Sequence, residues 1–281
     1  MEEFKSGFVS LVGRTNVGKS TLLNALAKEK IAITANKVQT TRTAIKAILN
    51  DKNYQIIITD TPGIHKPKTK LGKTMINTAF TMFSEVDVIL FLIEATSDDI
   101  GRGDRRILDK IIESKKPCIL IINKIDLVQK DKLLRLIKLY SDEYNFEAVI
   151  PISAYKKDGI EKIIDELLKI LPKGPKYYAD DEYTDQTMRQ LAEEIIREKA
   201  LKFLNDEVPH GIYIEVENFK NRNTTKGEEI YDIDATIYCI KESHKGIIIG
   251  KARKSFEKNC NVCKTRFREN AWYKSEFKSL G

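Results

Sequence analysis

Eight residues near the start of the sequence have the types and spacing of a phosphate-binding loop. They are Gly13, Arg14, Thr15, Asn16, Val17, Gly18, Lys19 and Ser20, which fit the pattern GxxxxGK[ST]. A predicted buried strand, 8–12, ends directly before them, and a predicted helix begins at Thr21. The backbone N–H groups of such a loop and the positive end of a helix dipole together bind phosphate. We therefore expect Lys19 to neutralise the β- and γ-phosphates of a nucleotide, Ser20 to coordinate Mg²⁺, and Thr21 to complete the contacts.

A second motif follows the strand predicted at 54–58. It consists of Asp60, Thr61, Pro62 and Gly63. A carboxylate at the end of a strand can bind the water shell of Mg²⁺, and the Gly63 N–H can sense a γ-phosphate. Alone, these four residues would be typical of a β-turn. Their distance from the phosphate loop instead favours contact with the nucleotide, and we expect Ile64 to share in it.

Two further motifs have the chemistry that recognises guanine. Asn123, Lys124 and Asp126 follow the strand predicted at 118–122, and Ser153, Ala154 and Tyr155 follow the strand predicted at 148–152. The Asp126 carboxylate can accept two hydrogen bonds from guanine, whereas adenine offers no such pair of donors. A buried polar group left unpaired by the wrong base gives discrimination of about 10⁴. We expect Asn123 to brace the loop, the Lys124 stem to lie along the base, and the 153–155 turn to donate a backbone N–H to the guanine oxygen.

The elements that position these motifs are short, continuous apolar runs. Such runs occur at 8–12, 54–58, 88–93, 118–122 and 148–152, and helical periods occur between them, for example at 105–113 and 160–171. Continuous rather than alternating hydrophobicity is typical of strands covered on both faces, as in a parallel sheet. Residues 1–172 are therefore predicted to form a doubly wound, mostly parallel α/β domain of the P-loop GTPase class.

The remainder of the chain has a different pattern. Proline, glycine, tyrosine and aspartate in residues 173–185 are typical of a linker. Beyond it, a helical period at 188–204 and alternating strands at 212–219 and 230–240 predict a smaller α+β domain, 186–254. Residues 255–281 show aromatic side chains at no regular period.

The net charge of +7 is concentrated at the end of the chain. Residues 241–281 hold eleven Lys or Arg and four Glu, so 11 − 4 = +7. Such a basic region suits a nucleic-acid backbone or an anionic membrane surface, and a solvated tail is the alternative. The sequence lacks a run of about 18 apolar residues and an N-terminal signal pattern, which predicts a cytoplasmic location with reduced cysteines. Cys260 and Cys263 form a single CxxC, which is weak support for zinc.

The motifs, together with Gln39, Thr40, Thr41 and Arg42, resemble the translation-factor-related GTPases and most closely the Era family. The resemblance implies that Thr41, in preference to Thr40, is the switch threonine that closes on Mg²⁺. Ile64 stands where Ras-like proteins carry a water-orienting glutamine, and an apolar side chain cannot position water. An asparagine matching Asn16 holds K⁺ near the phosphates in related GTPases, which implies K⁺-stimulated hydrolysis. The alternative is that Asn16 only caps the loop.

The same resemblance implies that the smaller domain is a type II KH domain, which binds RNA through a GxxG loop. The expected RNA contacts are Lys245, Gly246, Gly250, Lys251 and Arg253. The family implies a monomer that binds 16S ribosomal RNA near its 3′ end and acts in 30S subunit assembly, with peripheral membrane contact as an additional option. Three alternatives remain open: a basic domain without RNA contact, a GTPase of the tRNA-modifying or membrane-associated class, and a binding module that does not hydrolyse GTP.

The sequence departs from the KH pattern after Lys251. Ala252 and Arg253 stand where the family has its second glycine, and residues 255–281 lack the expected long helix and final strand. One choice of codons for 255–281, read one base later, encodes an amphipathic helix, a glycine stop and an alternating strand. We therefore hypothesise a frameshift in this aberrant tail. Without the expected helix and strand, the smaller domain is predicted to have an open sheet edge and to bind RNA weakly.

Overall fold

The computed structural model describes residues 3–29, 31–32, 45–60, 81–203, 212–223, 229–239 and 272–274. The chain divides into two compact units, Met1–Asp185 and Gln186–Gly281. The first unit therefore extends beyond the domain end expected at 172 and includes the predicted linker. None of the described helices is both long and apolar enough to cross a membrane.

A six-stranded sheet forms the centre of the first unit. Its strands, in spatial order, are β2 (Ile45–Asn50), β3 (Tyr54–Asp60), β1 (Lys5–Gly13), β4 (Val88–Glu94), β5 (Cys118–Asn123) and β6 (Ala148–Pro151). Every neighbouring pair is parallel except β2 and β3, which are antiparallel. The prediction of a mostly parallel P-loop GTPase sheet is confirmed. Because β1, β3, β4 and β5 run in one direction, the motifs that follow them meet at one edge of the sheet.

In the described part of this unit, four helices cover the two faces of the sheet. They are α1 (Lys19–Ala27), α2 (Arg102–Ser114), α3 (Lys130–Ser141) and α4 (Ile160–Ile170). On one face Leu23 and Leu167 belong to a buried cluster with Leu90, and on the other Leu108 and Tyr140 cluster with Phe91. Alternate side chains of β4 thus enter opposite layers, which explains why that strand is apolar along its whole length.

The predicted linker, residues 173–185, packs along β1, β3 and β2, and we call it the strap. The buried Gln55 side chain accepts hydrogen bonds from the N–H groups of Tyr177 and Tyr178, at 2.6 and 3.0 Å, and donates to the Tyr178 carbonyl at 2.9 Å. The Tyr177 ring packs on Phe8, with ring centroids 4.9 Å apart. These contacts give the start of the strap a fixed path over the first unit.

The second half of the strap follows the outer edge of β2. The Ile48 N–H donates to the Tyr183 carbonyl at 2.9 Å, and Ala47 forms an antiparallel bridge with Thr184. The Asn50 amide donates to carbonyl groups of the strap, those of Ala179, Asp180 and Glu182, at 3.0–3.2 Å. The strap is therefore joined by its backbone to the strand that follows the expected switch threonine.

The second unit, described by itself, contains helix α5 (Met188–Phe203) and strands β7 (Ile212–Asn223), β8 (Glu229–Cys239) and β9 (Trp272–Lys274). The strands β7 and β8 pair antiparallel, with an irregularity between Val216 and Asn218. Among the described residues of this unit, one small hydrophobic cluster is buried. Its buried members are Ala192, Ile196, Ile214, Val216, Ile233 and Ala235.

The β9 strand belongs to the tail that was expected to lack regular structure. It pairs parallel with Ile230–Asp232 of β8. The expectation of an open sheet edge is wrong over those three residues, because β9 takes up their backbone hydrogen-bonding groups. The predicted RNA contacts at 245–253, and Cys260 and Cys263, lie outside the described residues.

Candidate nucleotide-binding site

The phosphate loop leaves β1 at Gly13 and enters α1 at Lys19. Gly18 has φ +104°, and a Cβ at this position would lie 2.3 Å from the Asn123 amide nitrogen. Only glycine fits here, because both the backbone conformation and the space exclude a side chain. The buried Lys19 ammonium donates to the carbonyl groups of Gly13 and Arg14, at 3.1 and 2.9 Å. Burial lowers the pKa of Lys19, and the nearby Asp60 carboxylate opposes that shift.

Two buried oxygen groups lie side by side next to this loop. The Ser20 hydroxyl donates to an Asp60 carboxylate oxygen at 3.0 Å, although 40 residues separate them. A hydroxyl and a carboxylate are the hard oxygen ligands that Mg²⁺ prefers, so the two residues fit that ion. The third expected ligand, Thr41, and the expected nucleotide contacts Thr61, Pro62, Gly63 and Ile64 lie outside the described residues.

Asn123 connects three of the motifs through one side chain. It is 3% exposed, its amide nitrogen donates to the Val17 carbonyl at 2.8 Å, and its amide oxygen accepts the Ala154 N–H at 2.9 Å. The phosphate loop and the 153–155 turn are thereby held at a fixed distance from the end of β5. Since the Ala154 N–H already donates to Asn123, a guanine oxygen at this turn would have to share that donor.

Asp126 lies where the base would be recognised. It sits in a short 3-10 helix, Ile125–Leu127, and one carboxylate oxygen accepts a hydrogen bond from the Ser153 hydroxyl at 2.6 Å. That hydrogen bond lowers the pKa of Asp126, so the group stays ionised and ready to accept hydrogen bonds. The preceding Lys124 has a left-handed backbone, φ +67°. Tyr155, at 86% exposure, contributes no buried surface to the turn.

Sequence reasoning did not predict Glu94 and Asp104, the two carboxylates that pair with Lys124 and Arg14. Glu94, at the end of β4, accepts a hydrogen bond from Lys124 at 2.6 Å. Asp104, at the start of α2, lies 2.9 Å from the Arg14 guanidinium. Glu94 could have been found from the sequence, because it directly follows a buried apolar run at the end of β4, as Asp60 does at the end of β3.

Asn16 is exposed on the phosphate loop and has φ +65°. Thr15 lies beside it, and Thr21 lies in the first turn of α1.

Comparison with known sequences gives concordant matches. A sequence profile described as 50S ribosome-binding GTPase matches residues 8–124. GTPase Era of Caldanaerobacter subterraneus subsp. tengcongensis is 54% identical over 248 residues, which cover 88% of this chain and 82% of that protein. GTPase Era of Clostridioides difficile is 52% identical over 249 residues, with the same two coverages.

Two solved structures are similar over nearly the whole chain. One is a crystal structure of Era in complex with MgGDPNP and nucleotides 1506–1542 of 16S ribosomal RNA, with 34% identity and a TM-score of 0.89, covering 98% of this chain and 92% of that one. The other is an Aquifex aeolicus Era variant bound to GDP·AlF₄⁻, also with 34% identity and a TM-score of 0.89, covering 98% and 93%.

Proposed function

Because the chain belongs to the Era family of GTPases, it binds and hydrolyses GTP, and we propose that it is a switch that binds 16S ribosomal RNA near its 3′ end and acts in 30S subunit assembly. One observation carries the ribosomal part of this proposal. A solved Era structure that holds nucleotides 1506–1542 of 16S ribosomal RNA is similar to this chain in both units, over 98% of its length. Membership of a GTPase family also excludes the alternative of a module that binds GTP without hydrolysing it.

The residues of the first unit divide the chemistry among them. The Lys19 ammonium balances the charge of the β- and γ-phosphates, which develops further as the γ-phosphate leaves. Ser20 and Asp60 would hold Mg²⁺, which supplies charge neutralisation at the same oxygens, and Thr41 would complete that set. The ionised Asp126 selects guanine by accepting two N–H groups, and Asn123 fixes the loop that presents it.

Mg²⁺-dependent hydrolysis is proposed to be stimulated by K⁺. Asn16 is exposed at the phosphate loop and offers an amide oxygen, the type of ligand a hard monovalent cation accepts. Ile64 stands where a glutamine would otherwise orient water, and a cation near the leaving phosphate would add to the electrostatic stabilisation from Lys19, in the role of an arginine finger.

The strap supports a physical route from the switch to the second unit. Thr41 lies four residues before the start of β2, and β2 is bonded to the strap through Ile48 and Asn50. Closure of the loop around Thr41 on GTP would pull on the start of β2, and the strap would transmit that change towards residue 186. A GTPase of the tRNA-modifying or membrane-associated class would not require ribosomal RNA at the end of this route.

RNA contact itself is proposed for the second unit, a KH-like domain of type II. Its expected contacts are Lys245, Gly246, Gly250, Lys251 and Arg253. The loop glycines would let an RNA backbone approach closely, and the basic residues would pair with its phosphates. We propose further that the chain acts as a monomer in the cytoplasm and that its tail, 255–281, results from a frameshift.

One experiment tests the ribosomal assignment and the frameshift together. Filter binding of a 16S ribosomal RNA 3′-end oligonucleotide is measured with GTP and with GDP, for this chain and for a chain whose tail is restored by the shifted reading. We expect weak, nucleotide-dependent binding by this chain and tighter binding by the restored one. Equal and negligible binding by both, with GTP hydrolysis intact, would contradict the ribosomal assignment. Sequencing the gene over codons 253–255 decides the frameshift independently.

A further inference from the structure

Four charged side chains link the phosphate loop to the guanine motif, and we call them the charge network: Arg14, Glu94, Asp104 and Lys124. The Lys124 ammonium donates to one Glu94 oxygen at 2.6 Å, and the other Glu94 oxygen lies 3.6 Å from the Arg14 guanidinium. Arg14 also donates to Asp104 at 2.9 Å and to the Ser97 hydroxyl at 3.0 Å. The network contains two cations and two anions, so it is neutral as a whole.

The surroundings hold this network in one geometry. Asp104 is fully buried at the start of α2, which fixes the inner end of the Arg14 guanidinium. Glu94 lies opposite Asn123 in the register of β4 and β5, so its carboxylate is placed beside the residue that follows Asn123. Both positions are set by regular elements and not by loops. Glu94 is therefore a rigid anchor for a lysine that would otherwise have four free rotatable bonds.

Lys124 is constrained at both ends as a result. Its backbone is in the left-handed conformation, and its ammonium is bound to Glu94. The stem runs between these two fixed points, and in the proposed site it would lie against the face of the base. A side chain ordered before binding loses less entropy when the ligand arrives, so binding is tighter.

We propose that Glu94 is a positioning residue for nucleotide binding, which orders Lys124 against the base and, through Arg14, ties the guanine motif to the phosphate loop. Glu94 makes no hydrogen bond to the base in this role. Through Lys124, Glu94 strengthens contacts with the flat face of the purine, which GDP and IDP share. It does not affect recognition of the exocyclic amino group, which IDP lacks. This distinguishes it from Asp126.

The test compares the dissociation constants of fluorescent GDP and IDP for the full chain and for Glu94→Gln. We expect both constants to rise about tenfold, with the GDP-to-IDP ratio unchanged, because the ordering of one flexible side chain is lost. In a Lys124→Gln background the same change should alter either constant less than twofold, since the partner is absent. Asp126→Asn, in contrast, should weaken GDP far more than IDP.

The matched control is Glu143→Gln, and the second variant is Glu94→Asp. Glu143→Gln removes an equally short ion pair, in which the two terminal nitrogens of Arg105 on α2 bind Glu143, just after the end of α3, at 2.6 Å, and it should change neither constant. Should Glu94→Gln fail to fold by its thermal unfolding profile, Glu94→Asp replaces it, with at least threefold weaker binding of both nucleotides expected. The proposal is overturned by a change of less than twofold, by a loss confined to GDP, or by the same loss without Lys124.

Discussion

The described residues of the two units contain very different amounts of hydrophobic core. In the first, a sheet packed on both faces ends in loops whose side chains are tied to one another by short hydrogen bonds, with Asn123 alone joining three motifs. In the described part of the second, a cluster of six buried residues lies between one helix and two long strands, and β9 contributes three residues to the sheet. A large core can fix several loops at once, whereas a small unit depends on each of its closing elements.

This comparison has a consequence for damage to the sequence. A frameshifted tail would remove part of what the small unit needs, but it would leave the two buried clusters of the first unit complete. We therefore expect GTP hydrolysis and RNA binding to respond separately to mutation.

The largest effect should come from Asp126→Asn. The amide cannot accept both guanine N–H groups, so GDP affinity should fall by about 10⁴. Fluorescent-nucleotide titration measures it, with ATP as competitor. Asp142→Asn, an exposed position at the end of α3, is the matched control and should leave GDP affinity unchanged. Uptake of ATP as readily as GDP by the unmodified chain would contradict the assignment of the base site.

The next effect should be confined to the second unit. Ile233→Ala removes a buried side chain from its small cluster, which should lower the free energy of unfolding of that unit by about 2–5 kcal/mol. Denaturant unfolding followed with and without GDP separates the units, because GDP stabilises only the first. Ile112→Ala, a half-exposed position on α2, should cost much less. A loss of GTP turnover in Ile233→Ala would show that the units are not independent.

Potassium should alter turnover without altering either fold. We expect hydrolysis at least about tenfold faster in KCl than in NaCl, because the cation stabilises charge that develops on the phosphates. Phosphate release measures the rates. In Asn16→Ala the two salts should give equal rates, while GDP affinity remains. Equal turnover of the unmodified chain in both salts would contradict the role of Asn16.

The smallest effect concerns the acid limit of guanine recognition. The Ser153 hydroxyl lowers the pKa of Asp126, and binding requires the ionised carboxylate, so affinity is present above that pKa and lost as pH falls through it. In Ser153→Ala the pKa of Asp126 should rise, and GDP affinity should begin to fall at a higher pH. At pH 7 the loss should be roughly threefold, from one missing hydrogen bond. Titrations between pH 4 and 7 measure it, with the exposed Ser141→Ala as control.

The sequence was most informative where a function depends on what directly follows a buried strand. Asp60 and Asn123 could be located in this way, because each follows a continuous apolar run. The strap and the charge network could not, because their contacts join distant positions: Gln55 bonds to residues 122 and 123 places away, and Arg14 to one 90 places away. Composition indicated that 173–185 connects two units, but it does not indicate what a polar segment packs against.

β2 was also missed, for a related reason. It is an outer strand of the sheet, pairs antiparallel with β3, and has the partly exposed Lys46 and Asn50 on either side of three buried residues, 47–49. The predicted apolar runs belong to strands covered on both faces. An edge strand has a weaker hydrophobic pattern, so it can be assigned from the sequence only when its neighbouring strands are known.

The strap also decides where the GTPase unit can be cut. It covers the free edge of β2, where the Ile48 N–H would otherwise face solvent as a template for another chain. A fragment that stops at Pro172 would uncover that edge and lose the partners of Gln55, and it would self-associate through β2 at high concentration. A fragment that continues to Asp185 keeps the edge closed and stays dispersed. The boundary useful for preparing this unit alone is therefore the end of the strap and not the end of the last helix.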